Sequence, residues 1–150
     1  MKFILTKELG RLAKWLRILG FDAQYFSEEK NSSLIILALR DNRIILTRNH
    51  RMPKVRGKVI LYIRSEQIKV QLSQVFKELD LRPDERLMFS RCTLCNVRLT
   101  DAQKEDVKLR VPEYVFNTQD DFLVCPVCRR VYWQGTHWGN VVETLKKILS

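Results

Sequence analysis

The four cysteines of this 150-residue chain fall as two Cys-x-x-Cys pairs, Cys92/Cys95 and Cys125/Cys128. Together they form a complete set of four soft donors for one zinc ion, held at about 2.3 Å in a tetrahedral structural site. Two residues between paired cysteines let a tight turn aim both sulfurs at one point, and Asn96 behind the first pair and Pro126 inside the second supply turn chemistry. Two disulfides or a redox-active pair are the alternatives. A redox site needs only one pair. Disulfides seldom persist in the reducing cytoplasm, the compartment expected for a chain whose opening apolar run, Phe3-Ile-Leu5, is too short for a secretory signal. The spacing therefore favours a structural zinc that leaves no position open for a reacting water. By analogy with zinc-finger peptides its binding contributes ~10–16 kcal/mol, enough to decide whether a small lobe folds.

Charge points to a polyanionic partner. The net charge is +10, and residues 1–88 hold 18 Lys/Arg against 10 Asp/Glu, while residues 89–150 hold 9 against 7. Seven basic residues and no acidic one lie between Arg43 and Arg64. Clustered arginine fits nucleic acid better than a merely solvated surface. Lys7, Arg11, Lys14 and Arg17 fall on one stripe of a helical pattern, and like charges one turn apart repel unless a phosphate backbone compensates them. With Arg48 and Arg51 they are the expected RNA contacts, and Trp15 could support that face or stack on a base. Nothing in the sequence reads as a membrane span.

The elements that must position these residues alternate strand and helix. Lys2–Leu5 reads as a buried strand and Glu8–Leu19 as an amphipathic helix closed by Gly20, with Leu9, Leu12, Ala13, Leu16 and Leu19 on its buried stripe. Asp22–Phe26 follows as a second strand. A helix over Leu34–Arg40 is expected to be capped from Asn31, Ser32 or Ser33, with a turn at Asp41 and Asn42. Arg43–Thr47 and Lys58–Ile63 have the continuous apolar character of strands covered on both faces, and Gln67–Leu79 reads as the next helix. This predicts an α/β fold: a mostly parallel sheet with helices on both faces, in residues 1–86. Ligands in such sheets bind beyond the carboxyl ends of the strands, here Thr6 and Thr47–Asn49. A polar linker at Arg82-Pro-Asp84 leads to a C-terminal zinc ribbon, residues 87–150. Within it a short helix is expected over Asp101–Lys108, irregular chain over Val111–Asp120, a strand over Val131–Trp133 and a closing helix over Asn140–Leu149.

Several segments carry a resemblance to a known family. The stretch from Phe3 to Asp22, which includes Thr6-Lys-Glu-Leu-Gly-Arg-Leu-Ala-Lys-Trp15, resembles the mut-seven C-terminal ribonuclease domain family. So do the strand Arg43-Ile-Ile-Leu-Thr-Arg-Asn49, the two cysteine pairs and Val131-Tyr-Trp-Gln-Gly-Thr-His-Trp138. The resemblance covers essentially the whole chain. It implies a PIN-like nuclease fold with a zinc ribbon on its C-terminal side, and metal-dependent cleavage of RNA by carboxylates gathered at strand ends. It also implies acids at the end of the first strand, before the second helix and after the third strand. Those places hold Thr6, Asn31 (Ser32 being the weaker match) and Asn49, all uncharged. One or two Mg²⁺ or Mn²⁺ ions beside a phosphodiester need carboxylates as ligands and as compensating charge. At 4 Å and an effective dielectric of 20, one carboxylate facing one unit of positive charge gains about 4 kcal/mol, so three neutral replacements weaken such a site by several kcal/mol.

Glu8, Glu28, Glu29 and Asp41 are the acids that could substitute. Glu8 serves more readily as a helix-start charge, and Glu28 and Glu29 as solvated loop residues. His50, between Asn49 and Arg51, offers a metal-free acid or a phosphate contact, though one histidine without a partner is weak evidence. His137 is expected to pack or cap the last helix. The expected function is an RNA-binding protein of this nuclease family with a structural zinc and an impaired nuclease centre. The alternatives are an active ribonuclease using displaced acids, and an adaptor whose ribbon binds a protein partner.

Overall fold

Phe3, Ile4, Leu5 and Thr6 are consecutive and all buried, which a strand achieves only when both faces of its sheet are covered. They form β1 (Lys2–Thr6), one of two inner strands of a four-stranded sheet with β2 (Asp22–Phe26), β3 (Ile44–Thr47) and β4 (Ile60–Tyr62). The order is β2-β1-β3-β4 and every pairing is parallel, so the expected α/β class holds. The computed structural model describes residues 1–149. The side chains of Thr136, His137 and Leu149 lie outside the described residues, and with them the role expected for His137.

Side-chain alternation divides the core in two. Phe3, Leu5 and Leu46 face the helices α1 (Gly10–Ile18), α3 (Ile68–Glu78) and α5 (Thr136–Leu149), where they meet Leu12, Leu16, Leu72, Val75, Val141 and Leu145. Ile4 and Ile45 face the other way, onto Leu34 and Ala38 of α2 (Asn31–Asp41) and onto Met52. The closing helix α5, though last in the chain, thus packs on α3 within the sheet's own core. Successive crossovers carry the chain from β1 outward to β2 and then back over β1 to β3, which goes on to β4 on the opposite side. The direction reverses between β1 and β3, so a crevice opens at their carboxyl ends. Among the described residues no helix is long and apolar enough to cross a membrane.

The ribbon is a three-stranded antiparallel sheet, β5 (Thr100–Ala102), β6 (Phe122–Val124) and β7 (Val131–Tyr132), over a small core of Val107, Val115 and Phe122. Here local expectation fails most. Thr100–Ala102 pairs with β6, Asp101 opposite Leu123, so the helix expected over Asp101–Lys108 shrinks to a 3-10 turn at Lys104–Val107. The segment expected to be irregular contains α4 (Glu113–Thr118), which starts directly after Pro112, a residue that fixes φ and needs no amide partner. In the first lobe the expected first helix opens as a 3-10 turn, Lys7–Leu9, and α2 starts at Asn31 with Lys30 as its cap and no side-chain capping bond. The caps expected from Asn31, Ser32 and Ser33 are therefore absent, because all three already lie inside the first turn. The fourth strand is shorter than expected, and α5 begins before Asn140.

Gly20 closes the gap between the lobes. Its φ of +93° is a conformation that L side chains rarely adopt, and an added Cβ would lie 2.3 Å from the Leu87 carbonyl oxygen, inside contact distance of backbone that cannot move aside. The Gly20→Ala variant is expected to lose about 2–3 kcal/mol of stability, read as a lower urea midpoint with an unchanged slope.

Candidate functional site

The two knuckles are built alike. Asn96 N–H donates to the Cys92 carbonyl and Arg129 N–H to the Cys125 carbonyl, each at 2.9 Å. Cys92 N–H and Cys125 N–H close the turns onto Val97 and Arg130. Asn96 and Arg129 take φ of 65° and 67°, the left-handed step that brings the chain back after the second cysteine. Backbone amides point at sulfur: Cys95 N–H to Cys92 Sγ, and both Val127 and Cys128 N–H to Cys125 Sγ, each at 3.4 Å. All four cysteines are free, and their sulfurs lie within 4.8 Å of one another, with Cys92 and Cys128 at 3.7 Å. A tetrahedron with 2.3 Å metal–sulfur bonds has edges of about 3.8 Å, so the cluster has the dimensions of a tetrathiolate site that could hold a metal ion.

Charge on the sulfurs says the same. Burial works to raise the Cys92 thiol, but the Tyr132 hydroxyl at 3.1 Å and the amides of Cys95 and Leu94 outweigh it and bring it down to about 6. Burial and the three neighbouring sulfurs push Cys95 up to about 12. Sulfurs packed this closely cannot all ionise unless a cation shares their charge.

The first knuckle is fastened to the turn between α1 and β2. Asn96 accepts from the Ala23 amide at 2.9 Å and donates to Asp22 at 2.7 Å. Asp22 also takes Arg43 at 2.6 Å; burial would raise its carboxyl, but these two donors hold it below its ordinary value. Arg91 donates to the carbonyls of Gly20 and Asn96. Arg17 corrects an expectation. Its guanidinium is buried and donates to the carbonyls of Ala23 (2.8 Å), Thr93 (2.9 Å) and Leu94 (3.3 Å). It binds the lobes together and does not belong to the exposed stripe, because the end of α1 lies under the knuckle.

At the carboxyl ends of β1 and β3, Thr6 lies 3.1 Å from the Thr47 hydroxyl and donates to Glu8 Oε1 at 2.6 Å. The same oxygen accepts the Arg48 amide at 2.9 Å. Burial would raise the Glu8 carboxyl, but these hydrogen bonds outweigh it and hold the group below its ordinary 4.5. Asn49 donates its amide to Thr47 and accepts the Arg51 amide on Oδ1, each at 3.0 Å, so its side chain closes a local turn. Asn31 sits in the first turn of α2, and among the described residues no hydrogen bond joins it to Thr6, Glu8 or Asn49. The fold thus brings Thr6, Glu8 and Asn49 to one crevice and leaves Asn31 outside their network.

His50 stacks on Tyr62, with ring centroids 6.2 Å apart. Of the other acids considered, Glu29 pairs with Lys7, and Asp41 pairs with Arg40. Arg48 reaches Glu66 at 3.5 Å, while Arg11, Lys14 and Arg51 are exposed. Sequence reasoning placed Thr47 at a strand end but missed Asp22, Arg91 and Tyr132, whose partners Arg43, Gly20 and Cys92 are distant in the chain. Asn96 carried a usable signal, since it stands where a knuckle needs positive φ.

Residues 1–145 match the family model described as the Mut7-C RNAse domain. No curated protein matched the chain, and no solved structure did.

Glu8, with its carboxyl lowered in the fold, adds stability that is present above pH 4.5 and lost as pH falls through the folded value. Glu8→Gln is expected to cost about 1 kcal/mol near neutrality, with the gap to the parent closing in acid. Urea titrations at a series of pH values check this.

Proposed function

Because the chain belongs to the Mut7-C RNAse domain family, we propose that it binds RNA, holds one structural zinc ion in its ribbon, and has an impaired nuclease centre. The observation that carries the reading is the state of the strand-end crevice. The family's acid positions there are Thr6 and Asn49; the Thr6 hydroxyl is engaged by Glu8, and Asn49 Oδ1 by the Arg51 amide. Mg²⁺ requires several oxygen ligands in near-ideal geometry, with carboxylates to balance its charge. One carboxylate, whose Oε1 already accepts from Thr6 and from the Arg48 amide, does not by itself meet that demand. No catalytic step is therefore assigned to a divalent ion here.

Binding survives the loss of acids. Arg11, Lys14 and Arg51 are exposed cations, and Lys7 and Arg48 are only lightly paired at the surface, where ion pairs contribute little. RNA phosphates displace such pairs and release counterions.

One observation favours a second reading. Glu8 is a displaced acid, placed by Thr6 in the crevice that the first-strand acid would occupy. Labelled RNA incubated with the zinc-loaded protein, with and without Mn²⁺, separates the two. The impaired reading expects no Mn²⁺-dependent cleavage, and cleavage abolished by Glu8→Gln would establish the second reading in its place.

Two further outcomes are expected. Affinity for single-stranded RNA should fall about twentyfold when salt rises fourfold, as three phosphate contacts require, and Arg11→Glu should reduce both the affinity and the salt slope. Elemental analysis should find one zinc per chain. Its removal by a strong chelator should lower the melting temperature of the α/β lobe as well as the ribbon, because Asn96, Arg91 and Arg17 join them; circular dichroism on heating reads this directly.

A further inference from the structure

Where α1, the first knuckle, β7 and α5 meet, the surface opens into a groove of about 430 Å³, within the ~300–1,000 Å³ range of small-ligand sites. Trp15 of α1, Tyr132 of β7 and Trp133, which follows that strand, line it. Lys14 and Arg91 lie along it, and among the described residues no acidic side chain lines it. The neighbouring cavity on the far side of Trp133 differs in kind, since it is lined by Asp101, Asp120 and Asp121. Trp133 keeps 36% of its surface exposed, large for an indole with no interior role beyond an edge contact to Phe122. Tyr132 is fixed differently, since its hydroxyl is bonded to Cys92 and to the Thr93 amide.

We infer that this groove is a binding site for an unpaired RNA base, which stacks on Trp133 while its phosphate meets Lys14. The inference rests on the RNA-binding reading above and adds to it a preference for unpaired strands. Stacking explains the exposed indole, because every base has a π-face and an aromatic platform accepts it without regard to sequence. Charge complementarity identifies the ligand as polyanionic, with Lys14 and Arg91 in the groove and no carboxylate to repel phosphate. Placement supplies the path. Arg11 lies one turn before Lys14 on α1, and Glu8 lies in the 3-10 turn that leads into that helix, so Lys14 stands about 10 Å along the helix from Glu8. A strand crossing the crevice and running along the exposed cations would reach the groove within a few nucleotides.

Anisotropy of a labelled single-stranded RNA dodecamer, and of the same strand annealed to its complement, tests the assignment on the zinc-loaded full chain. Trp133→Ala is expected to weaken single-strand binding on the order of tenfold and to leave duplex binding within twofold, since paired bases are already stacked on one another. Trp133→Leu keeps an apolar cover on Phe122 and is expected to do the same, which separates loss of stacking from loss of packing. Arg11→Glu should weaken both RNAs. If both Trp133 variants bind the single strand like the parent while Arg11→Glu does not, the groove assignment is overturned and the groove passes to a protein ligand, with the basic face still standing. If Arg11→Glu is also without effect, the RNA-binding reading falls with it. An equal loss for single strand and duplex in Trp133→Leu would likewise overturn base stacking.

Discussion

The turn from α1 into β2 carries the contact on which both lobes depend. Within seven residues, Arg17 to Ala23, the chain provides a guanidinium to the first knuckle, carbonyls to Arg91 and Phe89, a side-chain-free position under Leu87, and a carboxylate to Asn96. Two of these partners, the Thr93 and Leu94 carbonyls, are backbone groups of the knuckle, and Asn96 joins from its left-handed step. A backbone carbonyl or amide is correctly placed only when the knuckle is closed, and the knuckle closes only when its sulfurs converge. Convergence of the four sulfurs and the position of the first lobe's turn are therefore linked through these hydrogen bonds. The same turn precedes β2, which pairs with β1 along its whole length.

This linkage explains why one helix face serves two purposes. Arg11 and Lys14 lie on the exposed part of α1, and Arg17, one turn further on, lies beneath the ribbon. Buried without partners, the Arg17 charge would be very costly. Three carbonyl acceptors and the nearby sulfurs of Cys92 and Cys95 offset part of that cost, and the burial still lowers its pKa. Arginine suits the position because its planar fork serves several acceptors from one stem.

The parallel sheet was legible in the sequence because each strand that is covered on both faces must be apolar throughout, as Phe3-Ile-Leu5 and Ile44-Ile-Leu46 are. The cysteine site was legible because its ligand count and spacing leave few alternatives. Arg17 could not be assigned from the helical period, which places a residue on a stripe without saying what lies over its end. Asp101–Lys108 failed for a related reason: its local pattern permits a helix, but strand pairing with β6 and the geometry of a ribbon override a preference of a few tenths of a kcal/mol per residue. Tyr132 was invisible because its partner Cys92 is 40 positions away.

The strand-end crevice shows what replacing acids does to electrostatics. A cluster of three carboxylates repels a phosphodiester until a cation neutralises it, so affinity for RNA then depends on the cation. With Thr6 and Asn49 in two of those places, and Glu8 compensated by Thr6 and the Arg48 amide, the crevice no longer opposes the charge of Arg11, Lys14 and Arg51. Each removed carboxylate withdraws a repulsion of about 4 kcal/mol at 4 Å and an effective dielectric of 20. On the proposed reading, the substitutions that weaken a divalent metal site would strengthen a cation-independent binding surface, in keeping with the excess positive charge of the first 88 residues. On the proposed reading, loss of cutting and retention of grip would both follow from the same loss of negative charge at the strand ends.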